Sequence, residues 1–403
     1  MRQWSSGRSS EFGASAPVAS GRAGRSRVYG GLARCLMAIG VLLFASGCDG
    51  SSSGDDDNSS SGGSEPRPLV SIVSQRLQPS AAGAGIDTEA RVADYHYIAQ
   101  PEQAAERKDV LVVFLGGSAS SPADYIDIAS FAARLGYAVI DLSYLNDEVV
   151  GSNRTCAGDD ACFTRLRGES LFGQGNAYAP GERTYDSDEI ETDKANSIVN
   201  RIVSALDFLA SQPQSATNPS PDGYWTQFLT ADEQSPYVGM STGNAYPDWD
   251  KIIIAGHSQG AGHAAFLPLH LPADTAVRRV VMFSGPNDHV GQRSADWIGD
   301  ASQTPLDRFW GLRNADEGIL GDFTATNWQN LGGPGSGGVG GTAASGDRRI
   351  GAGSGDPRGS HRLVITAPDD NALRNHESTA VDEAHTDAVE PAWRYLFTGG
   401  GAD

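Results

Sequence analysis

Residues 256–263 read GHSQGAGH. A serine hydroxyl is a poor nucleophile until a neighbouring base takes its proton. Small residues two places before and after such a serine allow a tight strand-to-helix turn that exposes the hydroxyl. The spacing Gly256, Ser258, Gly260 fits that chemistry. With 50 glycines in 403 residues, the same pattern also arises at GSSSG (50–54) and GMSTG (239–243). The flanking elements must therefore decide between the three.

KIIIA (251–255) is a short apolar run that reads as a buried strand, and GAGHAAFLPLH (260–270) can run as a helix that ends near Pro268. Ser258 thus lies between a strand and a helix whose N-terminal amides favour developing negative charge. GSSSG sits in DGSSSGDDDNSSSGGSEPRP (49–68), which has almost nothing apolar and cannot offset its ordering entropy. GMSTG sits in a Pro-, Ser-, Thr- and Tyr-rich stretch with no apolar run before it and no helix after it. Ser52 and Ser241 are therefore set aside.

The rest of the chain gives an alternating strand and helix pattern. RVADYHYIA (91–99) reads as an outer strand. DVLVVFLGG (109–117), PADYIDIASFAARLG (122–136) and YAVIDLSYL (137–145) form a strand–helix–strand unit, which implies a parallel sheet. Residues 187–212 read as one long helix with Ile198, Ile202, Leu206 and Leu209 on its apolar stripe. RRVVMFSG (278–285), DRFWGLRN (307–314) and HRLVITA (361–367) are further strands, and AVEPAWRYLF (388–397) is a final helix. Two insertions, 146–186 and 213–248, and a glycine-rich loop, 332–360, interrupt the pattern.

Charge and cysteines narrow the setting. The formal net charge is −20, which argues against nucleic-acid partners and against electrostatic docking on anionic membranes. Residues 1–47 carry six arginines ahead of LMAIGVLLFASG (36–47), which is as long as a signal-peptide core and too short to span a bilayer. Ala45-Ser46-Gly47-Cys48 resembles a bacterial lipobox, with Ala45 where leucine is usual. It implies lipidation of Cys48. Translation from Val28 would give a compact leader. Loss of residues 1–47 removes six arginines and one acid, Glu11, and moves the charge to −25. The expected organisation is a lipoprotein-type leader (1–47), a flexible tether (48–68) and one folded domain (69–403). Cys156 and Cys162 then read as a disulfide in an oxidising compartment, since nothing nearby completes a zinc set. No metal or organic cofactor is expected.

From FLGG through GHSQG to the C-terminal histidines and WRYLF, the chain resembles the α/β-hydrolase-fold serine hydrolases over about residues 105–398. GHSQGAGH followed by VVMFSGPNDH resembles a group of exported hydrolases of poorly defined substrate. The resemblance implies a mostly parallel sheet with flanking helices and a chain order of serine, acid, histidine. Of the six histidines after Ser258, His263 is too near the elbow, and His270, His289 and His361 precede the expected place. His376 is favoured, with His385 the alternative. Asp316 is the favoured acid, with Glu317 its neighbour and Asp288 the rival. Gln259 would donate one N–H to an oxyanion, and Gly117 or Ser118 in FLGGSAS (114–120) the other. Tyr178, Tyr224, Trp225 and Tyr246 are candidates for a pocket wall. The implied activity is hydrolysis of a small-molecule carboxylic ester at a bacterial envelope, in a protein held to the membrane by its lipid. A peptidase or amidase, or a non-catalytic surface lipoprotein with a relic pocket, would share most of these features.

Overall fold

The computed structural model describes residues 67–86, 95–150, 155–175, 184–219, 223–233, 235–318, 323–351, 357–366 and 369–400. The expected leader, Cys48 and GSSSG lie outside them, as do nearly all of the tether and Tyr178.

The frame is a nine-stranded sheet of β1 (Ile72–Leu77), β2 (His96–Pro101), β3 (Leu111–Leu115), β4 (Ala138–Leu142), β5 (Ile252–His257), β6 (Arg279–Phe283), β7 (Phe309–Asn314), β8 (Arg348–Ile350) and β9 (Arg362–Ile365). Its spatial order is β1-β2-β4-β3-β5-β6-β7-β9-β8. Every pairing is parallel except those of β2 with β1 and β4. This order, with a sharp turn after the central β5, is the α/β-hydrolase fold.

The central strands are largely apolar because both faces are covered. Leu111, Val113 and Leu115 of β3 enter one core, and Val112 and Phe114 enter the other. The first core is closed by α2 (Asp160–Phe172), α3 (Ile198–Ser211) and α4 (Gln259–Phe266). The second is closed by α1 (Ile126–Arg134) and α7 (Glu390–Thr398). Two further helices, α5 (Phe323–Asn330) and α6 (Ala372–Glu377), lie at the C-terminal ends of the strands.

Four expectations change. The helix expected over 187–212 begins only after Ser197, whose hydroxyl caps it by accepting from the Asn200 N–H. The acidic stretch before it is instead wrapped on the buried Glu169 carboxylate, which accepts the N–H groups of Ser187 and Thr192 at 2.6 and 2.8 Å. The 146–186 insertion contains α2, which is buried on nearly all sides and so shows no single apolar stripe. The 213–248 stretch is not a plain loop. It carries a small antiparallel sheet (Leu229–Ala231, Val238–Gly239, Gly243–Pro247) in which GMSTG is a hairpin turn, with the N–H groups of Ser241 and Thr242 held by Asp207. The glycine-rich 332–360 segment adds the edge strand β8.

Cys156 and Cys162 are disulfide-bonded across a separation of six residues, closing the turn before α2. So short a loop restricts the unfolded chain by about 2 kcal/mol. Replacing both cysteines by serine is expected to lower the unfolding free energy by that amount in urea titrations, with the slope unchanged.

Candidate functional site

Ser258 follows the last residue of β5 and precedes the first of α4, with φ +54° and ψ −113°. Left-handed φ values are uncommon for non-glycine residues and persist only where the surroundings enforce them. Here a Cβ on Gly256 would stand 2.4 Å from the Gly260 carbonyl carbon, and one on Gly260 would stand 2.0 Å from the Leu115 carbonyl oxygen. Both glycines are therefore sterically required, which gives the G-x-S-x-G spacing its reason. The Ser258 N–H donates to the Phe283 carbonyl at 2.9 Å, which ties the turn to β6. The side chain borders an open cavity of about 780 Å³ that is also lined by His376, Gln259, Gly117 and Ser118.

His376, on α6, is buried, and its Nδ1 lies 3.3 Å from Glu317 Oε2. The acid on the histidine is thus Glu317 and not the expected Asp316. After β7 the Asn314 side chain accepts the Asp316 N–H at 2.9 Å, and the Asp316 carbonyl accepts from Gly318 N–H and Asn375 Nδ2. This turn leaves Asp316 exposed and Glu317 buried. Burial pushes the Glu317 carboxyl up, to about 8, against the opposing pull of Ser284 and Arg313. Burial pushes His376 down, to about 4, so its imidazole is neutral at pH 7.

The rivals are otherwise engaged. Asp288 is fully buried and clasped by Arg167, with Nε at 2.5 Å and Nη2 at 2.6 Å, and it accepts from Trp297 Nε1 at 2.8 Å. The same guanidinium donates to the Gln259 carbonyl at 3.1 Å. Asp288 therefore braces the start of α4 and does not meet His376. His385 has its Nε2 3.2 Å from Asp127 and its ring against Trp393, and it does not line the cavity. Asp127, Asp382 and His385 bring potential ligand atoms within 4.8 Å of one another. Hydrogen bonds already join them, since Asp382 accepts the Asp127 N–H at 3.0 Å. His263 packs edge-on against Tyr144 inside the core, as its position predicts.

The loop after β3 is fixed from several sides. Tyr144 Oη donates to the Gly116 carbonyl at 2.6 Å, Asn146 Nδ2 donates to the Gly117 carbonyl at 2.6 Å, and Ala119 N–H donates to the Asn146 carbonyl at 2.9 Å. The Gly117 N–H donates to Tyr125 Oη at 2.9 Å, so it is not available to a substrate. The Ser118 N–H has no partner among the described residues, and Ser118 Oγ donates to Gln259 Oε1 at 2.5 Å. Gln259 opens α4, where the N–H has no acceptor within the helix.

Of the pocket aromatics read from sequence, Tyr224 and Trp225 are buried in the core and Tyr246 packs on Tyr237. None of the three lines the cavity. Its apolar wall comes from Val149, Val150, Leu373 and Phe323, the last stacked on His289 at 3.5 Å between ring centroids. Reading the sequence also missed Tyr125, His257, Asn146 and Arg167. None of the four stands out in the sequence: Arg167 lies in DACFTRLRGESLF (160–172), which also carries Asp160, Arg165 and Glu169.

No protein-family profile and no curated protein matches the chain. Among solved structures, it is similar to a crystal structure described as a dienelactone hydrolase from Klebsiella pneumoniae subsp. pneumoniae MGH 78578. Identity is 10%, 81% of this chain and 98% of that chain are covered, and the TM-score is 0.34. It is also similar to esterase B from Lactobacillus rhamnosis with a tributyrin phosphonate inhibitor. Identity is 9%, 83% and 89% of the chains are covered, and the TM-score is 0.39. The fold assignment rests on the strand order and not on these distant likenesses.

The Arg167–Asp288 pair gives a direct test of its bracing role. Removing one partner of a buried ion pair leaves an uncompensated charge, which costs about 3–5 kcal/mol. Asp288→Ala is expected to lose that much in denaturant unfolding, whereas Asp316→Ala is expected to change stability by less than about 0.5 kcal/mol.

Proposed function

We propose that the chain is a serine hydrolase that cleaves small carboxylic esters through Ser258, His376 and Glu317. The observation that carries this reading is that the elbow serine and the buried histidine border one cavity, with the Glu317 carboxylate 3.3 Å from that histidine's Nδ1. Glutamate serves in place of aspartate in some triads of this fold.

In this reading His376 Nε2 takes the Ser258 proton as Oγ attacks the ester carbonyl. The N–H groups of Gln259 and Ser118 receive the developing oxyanion. His376 then returns the proton to the leaving alcohol, and water activated by the same nitrogen releases the acid from Ser258. Glu317 holds the Nδ1 proton and offsets the imidazolium charge that forms. The apolar wall of Val149, Val150 and Leu373 suits a short acyl or alkyl group.

We also propose that the enzyme works at a bacterial envelope on a lipidated Cys48. The leader pattern of residues 36–48 supports this, and the Cys156–Cys162 disulfide fits an oxidising compartment.

The triad is tested by hydrolysis of p-nitrophenyl butyrate. Ser258→Ala should abolish turnover. Glu317→Gln should lower kcat by roughly 10⁴-fold, and Asp316→Asn by less than about threefold. Equal losses at 316 and 317 would contradict the assignment.

The pH profile follows from burial. Glu317 and His376 share protons as a pair, and the base is competent only once the pair has lost its extra proton. The buried carboxyl is raised to about 8, so kcat/KM should climb with pH through an apparent pKa above the ordinary histidine value of about 6.5. In Glu317→Gln no carboxylate titrates, and burial acting on His376 alone should move the residual limb toward acid. A wild-type limb below pH 6 would contradict this.

A further inference from the structure

A chain of buried hydrogen bonds joins the two ends of the site. The Gly117 N–H donates to Tyr125 Oη at 2.9 Å, Tyr125 Oη lies 3.1 Å from His257 Nδ1, and His257 Nε2 lies 3.1 Å from the His376 carbonyl oxygen. Tyr125 and His257 are 1% and 3% exposed, at the floor of the cavity they border.

The chemistry leaves one orientation. A carbonyl oxygen only accepts, so His257 Nε2 carries a hydrogen. Burial, together with the neighbouring His376, holds His257 down to about 3, so the ring is neutral and Nδ1 is a bare acceptor. The Tyr125 hydroxyl must then donate to Nδ1, and its oxygen is left to accept from Gly117. The polarity runs unbroken from the loop after β3, past the residue that precedes Ser258, to the backbone of His376.

The chain also touches the nucleophile. A Cβ on Gly117 would lie 3.2 Å from each of His257 Nδ1, Tyr125 Oη and Ser258 Cβ. His376 sits on a helix of six residues, where His257 holds its carbonyl and also packs its ring 4.8 Å, centroid to centroid, from the imidazole that Glu317 meets at Nδ1.

We propose that Tyr125 and His257 are positioning residues that lock the oxyanion loop and the catalytic histidine into register about Ser258. The proposal rests on the reading of Ser258 and His376 given above. Loss of the phenol hydroxyl leaves the Gly117 N–H and His257 Nδ1 buried without partners. Tyr144 and Asn146 still hold the loop in place, but its register to the backbone of His376 is no longer set by a hydrogen bond. Tyr125 and His257 border the cavity but lie outside its apolar wall of Val149, Val150, Leu373 and Phe323, so the defect is expected on kcat and not on KM.

A double-mutant cycle tests it, with p-nitrophenyl butyrate hydrolysis and fluorophosphonate labelling as readouts. Tyr125→Phe removes the donor. His257→Gln keeps an amide N–H for the His376 carbonyl but offers Tyr125 no acceptor in the place of Nδ1. Each should lower kcat and the labelling rate about 10- to 100-fold with KM unchanged. The double variant should be no slower than the worse single one, because both cut the same link. Full kcat in either variant, losses that multiply, or a rise in KM alone would overturn the proposal while leaving Ser258 in place. A wild type that neither hydrolyses nor labels, or that labels as strongly after Ser258→Ala, would overturn the reading beneath it. If Tyr125→Phe fails to fold, ¹⁵N imidazole spectra of the wild type decide: the Nε2–H tautomer at His257 is expected, and an Nδ1–H tautomer overturns the proposal.

Discussion

Closure of the turn at Ser258 is the constraint on which the remaining geometry depends. A left-handed φ on a residue with a side chain costs on the order of 1–3 kcal/mol and must be held by its neighbours. Three elements hold it. β3 presses its Leu115 carbonyl against Gly260, β6 accepts the Ser258 N–H at Phe283, and α4 begins at once with Gln259. The strain is compatible with folding because β3, β5 and β6 are adjacent, fully covered strands whose cores fix them on both faces. The same closure sets the start of α4 beside the loop after β3, so that Gln259 and Ser118 meet at one cavity.

Beneath that turn, buried charges are held in pairs. Arg167 and Asp288 neutralise each other inside the first core and support the Gln259 carbonyl. Glu317 is the one carboxylate on His376, and its Oε1 has no hydrogen-bond partner among the described residues. A buried carboxylate with so few donors is poorly solvated, so it gains most when the imidazole beside it becomes positive. An exposed aspartate in the same role would be screened by water and would respond less.

The fold was largely legible in the sequence because buried parallel strands are continuous apolar runs. LVVFL, AVIDL, IIIAGH and RVVMF read as strands without help from tertiary context. The elbow was legible for a steric reason, since only glycine fits at 256 and 260. What failed depended on burial that no local pattern records. Asp316 and Glu317 are adjacent acids after the same strand, and the Asn314 side chain decides which one turns inward. α2 is enclosed on most sides, so it shows no apolar stripe, and its buried Arg167 and Glu169 find their partners, Asp288 and the N–H groups of Ser187 and Thr192, in other segments. Tyr125, Asn146 and His257 act through hydrogen bonds across 132 residues or fewer of sequence, which composition and spacing do not encode.

The central claim is that Ser258, and no other serine of a serine-rich chain, carries the acyl group. Intact-protein mass spectrometry after incubation with a fluorophosphonate, followed by peptide mapping, addresses it most directly. One adduct per chain on the peptide containing GHSQG, absent in Ser258→Ala and strongly slowed in Glu317→Gln, is the result this account predicts. An adduct on another serine, or one that survives Ser258→Ala, would contradict it.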